Sequence, residues 1–198
     1  MHNLSTAFVL GYHGCDKIVA QALLNGEVQF TPSQNEWDWL GSGIYFWEAN
    51  PLRGLEFAEE QRVRNKLNEP FVIGAVLDLG YCLDLTSSTG LAAVKAAHDN
   101  FVDVAGKAGK SIPKNRGGSD LLLRQLDSAV INHLHQIRAS AEQPLQSFDS
   151  VKGVFLMEGG QLYEGSGFYN KTHIQICIRN PSCIKGVFRV PDEHLSGF

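Results

Sequence analysis

The chain predicts a single domain of mixed α+β class, and three observations carry that expectation. Short apolar runs of strand character stand near both ends, at residues 7–12, 174–178 and 184–188, while segments of helical rhythm fill the middle. The 198 residues suffice for one domain with a genuine core, and 43% apolar against 19% charged residues is an ordinary globular balance. No internal repeat, low-complexity tract or linker divides residues 1–198, so strands at the two ends must meet in space.

Taken in order, residues 7–12 (A-F-V-L-G-Y) form an apolar run ending at His13-Gly14, which predicts a buried strand. Apolar residues at 18, 19, 22 and 23 give the rhythm of a helix over 18–24, with Asp16 placed to cap it and Gly26 to end it. Residues 26–40 read as loop and carry Pro32, Ser33, Gln34, Asn35, Trp37 and Trp39; residues 41–46 read as a glycine turn entering a strand. Pro51 suits the first position of a helix that turns Leu52, Leu55, Phe57, Ala58 and Val63 inward. Residues 71–79 are strand-like and are closed by Gly80. Two further helices are predicted at 91–104 and 120–137, the second with Ser119 as its N-cap. Strands at 154–157, 174–178 and 184–188 complete the chain, with Asn180-Pro181-Ser182 turning between the last two.

Charge and motif content narrow the function. A net charge of −4 and a pI of about 5.9 argue against broad charge-driven nucleic-acid binding. They leave room for a local patch: Lys107, Lys110, Lys114 and Arg116 share a loop that reads either as a solvated connection or as a phosphate grip. Cys15, Cys82, Cys177 and Cys183 form no C-x-x-C pair, which favours buried, reduced thiols. The sequence holds no H-E-x-x-H, D-x-D loop or Walker glycine loop, and His133 and His135 cannot share a helix face, so no metal is expected. Gly41-Ser42-Gly43 lacks the spacing of a nucleophile elbow. The apolar runs are too short to cross a bilayer, and the first residues lack the features of a secretory signal. The expectation is a cytoplasmic protein without membrane contact.

Two short motifs remain. Tyr12-His13-Gly14 puts an imidazole at the end of the first predicted strand, beside a glycine whose bare backbone a ligand can approach. Gly41-Ser42-Gly43-Ile44-Tyr45-Phe46 puts an aromatic ring just after a glycine turn, where it can wall a flat pocket. Each has a plain alternative: a half-buried histidine bonded to backbone, and core aromatics of which Phe46 faces away from Tyr45.

Together the two motifs resemble the His and Tyr parts of the H-Y-E motif of diphtheria-toxin-like ADP-ribosyltransferases, the group that includes the poly(ADP-ribose) polymerases. The resemblance implies a split antiparallel β-sheet core with flanking helices, and NAD as co-substrate. It implies that His13 contacts the nicotinamide ribose, that Gly14 pairs with the carboxamide, and that Tyr45 stacks on nicotinamide on the opposite side of one cleft. Phe57 is the nearest match to a second stacking aromatic, and Ser33 and Asn35 would lie in a loop over the cofactor. The third element departs from the family: residues 171–178 read K-T-H-I-Q-I-C-I, where a glutamate is expected. Alignment on the apolar run puts Gln175 in its place, with His173 and Thr172 as alternatives. A glutamine can hydrogen-bond a ribose hydroxyl but supplies no charge and cannot act as a base. Glu158, in the segment E-G-G-Q-L-Y before that strand, is the candidate acid from elsewhere.

What the resemblance implies, then, is mono-ADP-ribosyl transfer to a protein or nucleic-acid acceptor, as in bacterial toxin and phage-defence effectors, with an antitoxin or immunity protein as partner. Two alternatives stand beside it: an NAD glycohydrolase, and a catalytically silent module that binds NAD or ADP-ribose, for which Gln175 is the main support.

Overall fold

The computed structural model describes residues 8–117, 121, 123–141, 145–156 and 160–196. Within them the chain runs β1 (Phe8–Asp16), α1 (Lys17–Leu24), β2 (Ile44–Glu48), α2 (Pro51–Val63), β3 (Pro70–Asp78), β4 (Cys82–Asp84), α3 (Ser88–Lys107), α4 (Gln125–Ser140), β5 (Ser150–Phe155), β6 (His173–Ile178) and β7 (Ile184–Arg189). The class is mixed α+β, as the apolar runs at both ends predict.

The seven strands form one sheet in the order β4-β5-β6-β2-β1-β3-β7. The β4–β5 pair is parallel and every other pair is antiparallel. First and last segments therefore meet where expected, β1 and β3 lying between β2 and β7. Strand alternation assigns each side chain to one of two faces. On the front face Tyr12, Trp47 and Val72 meet α2, while Leu83, Val151 and Cys177 meet α3 and α4 through Val130, Ile131 and Leu134. On the back face Ile44, Phe46, Ala75, Leu77, Ile176 and Ile178 pack beneath Phe30, and Cys15 and Ile73 meet Ala20 and Leu23 of α1.

The helix starts follow local chemistry. Asp16 caps α1 by accepting from the Ile18 N–H, and its other oxygen accepts from the Asn68 and Glu69 N–H groups. The Asn68 bond, helped by those of Ile18 and Glu69, holds this carboxyl below its usual pKa. Asn50 caps α2 just before Pro51, and Ser87 caps α3 by accepting from Gly90 N–H, which starts that helix earlier than residue 91.

Besides the early start of α3, three boundaries and one short strand differ from expectation. β1 continues through Asp16, so His13 lies inside the strand rather than at its end: β3 pairs with it all the way from Phe8 to Asp16. α4 begins at Gln125 rather than 120, because residues 116 and 123 close a small antiparallel bridge first. Its opening N–H groups, those of Leu126 and Asp127, are accepted by Asn115 Oδ1; Ser119, the expected cap, lies outside the described residues. β5 starts at Ser150 and ends at Phe155, and Met157 lies outside the described residues. β4, three residues long, carries too little pattern to be legible in sequence. Among the described residues no helix is long and apolar enough to cross a membrane.

Candidate functional site

The sheet opens at the first motif. β1 and β2 pair through Gly11–Glu48 and Tyr12–Trp47, and the ladder stops there, while β2 stays paired to β6 and β1 to β3. The Leu10 carbonyl accepts from Ala49 N–H, so the even-numbered residues of β1 turn their main-chain groups toward β2. Gly14 is one of them. Its N–H and C=O thus face the opening beyond the last β1–β2 pair. Gly14 is also needed for packing: a Cβ there would run into the Gly54 carbonyl oxygen of α2.

His13 spans the opening. Its Nδ1 lies 2.8 Å from the Tyr45 carbonyl oxygen, which only accepts, so Nδ1 carries the hydrogen and Nε2 presents a lone pair. The ring sits edge-on to Phe30 (5.3 Å between centres) and against Phe46 (5.6 Å). Burial lowers its pKa, against the raising effect of the Tyr45 carbonyl bond.

Tyr45 belongs to the front face. It pairs with Cys177 across β2–β6 and packs on the cluster of Leu40, Val130 and Ile131. Its hydroxyl donates to the Gly41 carbonyl (2.7 Å) and accepts from Leu40 N–H (3.0 Å), closing the turn that precedes β2. Burial raises the phenol pKa well above its ordinary value, aided by Cys177 and Asp38. Both glycines of the turn have steric causes. Gly41 is left-handed (φ +79°) and packs on Ile131 and Asn132, and a Cβ on Gly43 would meet Cys177 and Ile178. The two motif rings therefore project from opposite faces of the sheet and not from two sides of one cleft, as the resemblance implies, because His13 sits in mid-strand where alternation fixes its side. What joins them is the hydrogen bond from the imidazole to the tyrosine's main chain.

Gln175 shares the front face with Tyr45. It stands opposite Trp47 in the β2–β6 ladder, and its Oε1 accepts from Trp39 Nε1–H at 2.5 Å. Phe57 on α2 lies against Trp47, with ring centres 4.9 Å apart. His173, two residues before Gln175, stacks on Phe155 (5.3 Å, 24° between planes) and bonds through Nδ1 to the Lys171 carbonyl at 2.6 Å. Arg53 lies over the Trp47 ring and pairs with Glu56 and Glu60, the latter also held by Lys171. Trp39, Trp47, Phe57, Phe155, His173 and Gln175 thus form an aromatic and polar belt between the ground covered by α2 and that covered by α3–α4. Glu48, next in sequence to Trp47, turns to the other face and pairs with Lys152 at 2.7 Å. Glu158 lies outside the described residues.

The loop before β2 is built around Asp38. Its Oδ2 accepts from Ser33 Oγ (2.6 Å) and Asn35 N–H (2.9 Å), and Asn35 Nδ2 donates to Ser33 Oγ (2.8 Å). Ser33 and Gly43 exchange two main-chain bonds, so this loop is fastened to the entry of β2. Asn35 lines a cavity of about 410 Å³ with Pro113, Arg116, Gln125 and Asn132, which brings one residue of the basic loop to the loop before β2. Lys107 falls in the last turn of α3 and pairs with Asp103. A second cavity, about 400 Å³, runs between α3 and α4 behind Trp39.

Sequence reasoning overlooked Trp39, Trp47 and Arg53 as site residues. Trp39 carried a weak signal as a loop aromatic; the partners of the other two lie across β6 and α2 and leave no local pattern. All four cysteines are free, and burial pushes the Cys15 and Cys177 thiols up to about 11 and about 12, which makes them poor nucleophiles at neutral pH. Among the described residues no group of His, Cys, Asp and Glu is arranged to hold a metal ion.

Comparison with known proteins gives one distant similarity. The chain is 25% identical over 192 residues to a protein of the archaeon Methanocaldococcus jannaschii described as "Uncharacterized protein MJ0359", with 88% of this chain and 83% of that protein covered. No family model matches the sequence, and no solved structure matches it.

Proposed function

We propose that the protein is an NAD-dependent ADP-ribosyltransferase that releases nicotinamide and passes one ADP-ribose to a protein or nucleic-acid acceptor. The observation that carries this reading is the end of the β1–β2 ladder at Tyr12–Trp47, which leaves the Gly14 N–H and C=O turned into an opening bordered by β2. A main-chain donor and acceptor side by side suit a planar carboxamide, which offers the complementary pair. Tyr45, Phe57 and Gln175 share the front face beside that opening and supply aromatic surface and an amide. His13 lies on the other face and bears on this site through its bond to the Tyr45 carbonyl, which fastens β1 to β2 at the edge of the opening.

In this reading the nicotinamide–ribose bond breaks with positive charge building on the ribose. Gln175, oriented by Trp39, holds a ribose hydroxyl without adding charge. The basic residues Lys110, Lys114 and Arg116, with Arg116 at the cavity beside Asn35, suit the phosphates of an acceptor or of NAD itself.

Incubation with NAD labelled in the adenylate half tests the reading. Nicotinamide release with label in protein or RNA is the expected result. Free ADP-ribose alone would reassign the activity as hydrolysis, and bound but intact NAD would make the protein a silent module. His13→Ala and Tyr45→Ala are expected to abolish turnover, whereas His133→Ala, on α4 against Asn100, leaves it unchanged. Equal activity in all three would remove the site assignment.

A further inference from the structure

Three polar atoms on the front face are buried without a hydrogen-bond partner: Trp47 Nε1, Arg53 Nε and His173 Nε2. They come from one packed group. The Arg53 guanidinium carbon lies 6.0 Å from the Trp47 ring centre, and the Trp47 and His173 ring centres are 6.4 Å apart. Their residues are 3%, 8% and 7% exposed, in the order Trp47, Arg53, His173. Buried polar groups in folded proteins almost always have partners, so three such atoms in one cluster are the observation to be accounted for.

Their chemistry says which group would answer them. The Trp47 indole and the Arg53 Nε are donors alone. His173 Nδ1 sits on the Lys171 carbonyl, which only accepts, so Nδ1 carries the ring hydrogen and Nε2 presents a lone pair. Burial holds this ring neutral; the Lys171 carbonyl opposes burial, Arg53 reinforces it and Glu60 opposes it. Two donors and one acceptor are answered together by a hydroxyl, which accepts from an N–H while donating to a lone pair.

We infer that Trp47, Arg53 and His173 form a seat for one hydroxyl oxygen, that of water or of a small alcohol, with His173 Nε2 taking its proton as the oxygen attacks the ribose. The inference rests on the NAD reading above and supplies the base that Gln175 cannot be. His173 stands two residues before Gln175 on the same face of β6, roughly 7 Å along the strand. In the step, the C1′–nitrogen bond breaks and its electron pair leaves with neutral nicotinamide. A lone pair of the hydroxyl oxygen forms the new C1′–O bond. The hydroxyl proton passes to Nε2, giving an imidazolium that later loses it to solvent.

The test follows nicotinamide release from NAD by the full chain, with and without methanol, and separates ADP-ribose from its methyl glycoside by mass. Methyl glycoside identifies an alcohol in the seat, and ADP-ribose alone identifies water. His173→Gln is expected to lower kcat by about 10²-fold with little change in KM, and to flatten the acid limb of the pH–rate profile. Trp47→Phe keeps a ring against Phe57 and His173 and removes the donor together with part of the indole's volume; a loss of at least roughly tenfold is expected, the rate equivalent of one hydrogen bond. A wild-type protein that releases no nicotinamide overturns the NAD reading and this one together. A wild type that turns over while His173→Gln matches it in kcat and pH profile overturns this inference alone, as does a variant whose loss lies wholly in KM.

Discussion

Tyr45 does two separable jobs. Its ring lies on the front face, and its hydroxyl closes the turn through the Gly41 carbonyl and the Leu40 N–H. Tyr45→Phe keeps the ring and orphans both main-chain groups, which is expected to cost about 1–3 kcal/mol of stability. A urea titration should show a lower midpoint with unchanged slope, while nicotinamide release persists; an unmoved midpoint would mean that the hydroxyl bonds contribute nothing. Gly14 shows the same doubling of roles, since one position serves both a helix contact and an exposed main-chain pair. Such residues explain why the two motifs were legible in the sequence, because each glycine is fixed by what its missing Cβ would strike. The ring directions were not legible. They depended on whether the strand ended at residue 12 or ran on, and a continued strand with Cys15 and Asp16 carries no distinct pattern.

At the scale of elements, caps decided most boundaries. Asp16, Asn50 and Ser87 each stand immediately before their helices; the start of α1 was readable from Asp16 and that of α2 from Pro51, while α3 begins at Ser88, three residues before the predicted 91. α4 was misjudged because its cap is not adjacent: Asn115 accepts from Leu126 and Asp127 across the bridge between residues 116 and 123. Asn115→Ala should therefore loosen the first turn of α4 and lower stability by about 1 kcal/mol, the usual worth of a cap. Hydrogen exchange at Leu126 and Asp127 is the direct measurement, and unchanged protection there would show the cap to be idle. β4 was missed for a related reason. Three residues gain strand identity solely from the partner they find in β5.

At the scale of the whole molecule, three histidines among the described residues are held neutral inside the fold. Burial lowers the pKa of His13 and His173, and burial with Arg179 and Arg138 takes His135 down to about 3. A folded-state pKa below the unfolded value of 6.5 means that the unfolded chain binds more protons as the solution is acidified. Stability is therefore complete above pH 6.5 and drains away below it, until the folded pKa is reached. Each such histidine contributes up to about 1.4 kcal/mol per pH unit in that window. Thermal melts at pH 7.5 and pH 5 should differ accordingly, and His135→Phe should shrink the difference. Equal melting temperatures at the two pH values would contradict the burial of these rings.

The parallel pairing of β4 with β5 has a wider consequence. The chain departs from the sheet's outer border after Asp84, builds α3 and α4, and returns to the same border at Ser150. The outward surface of α3 and α4 hangs from a margin and can be resurfaced, whereas Val130 and Ile131 on the inward side stay tied to Tyr45 and Cys177. One layer of the molecule thus has an outer side open to divergence and an inner side held constant by the strands beneath it.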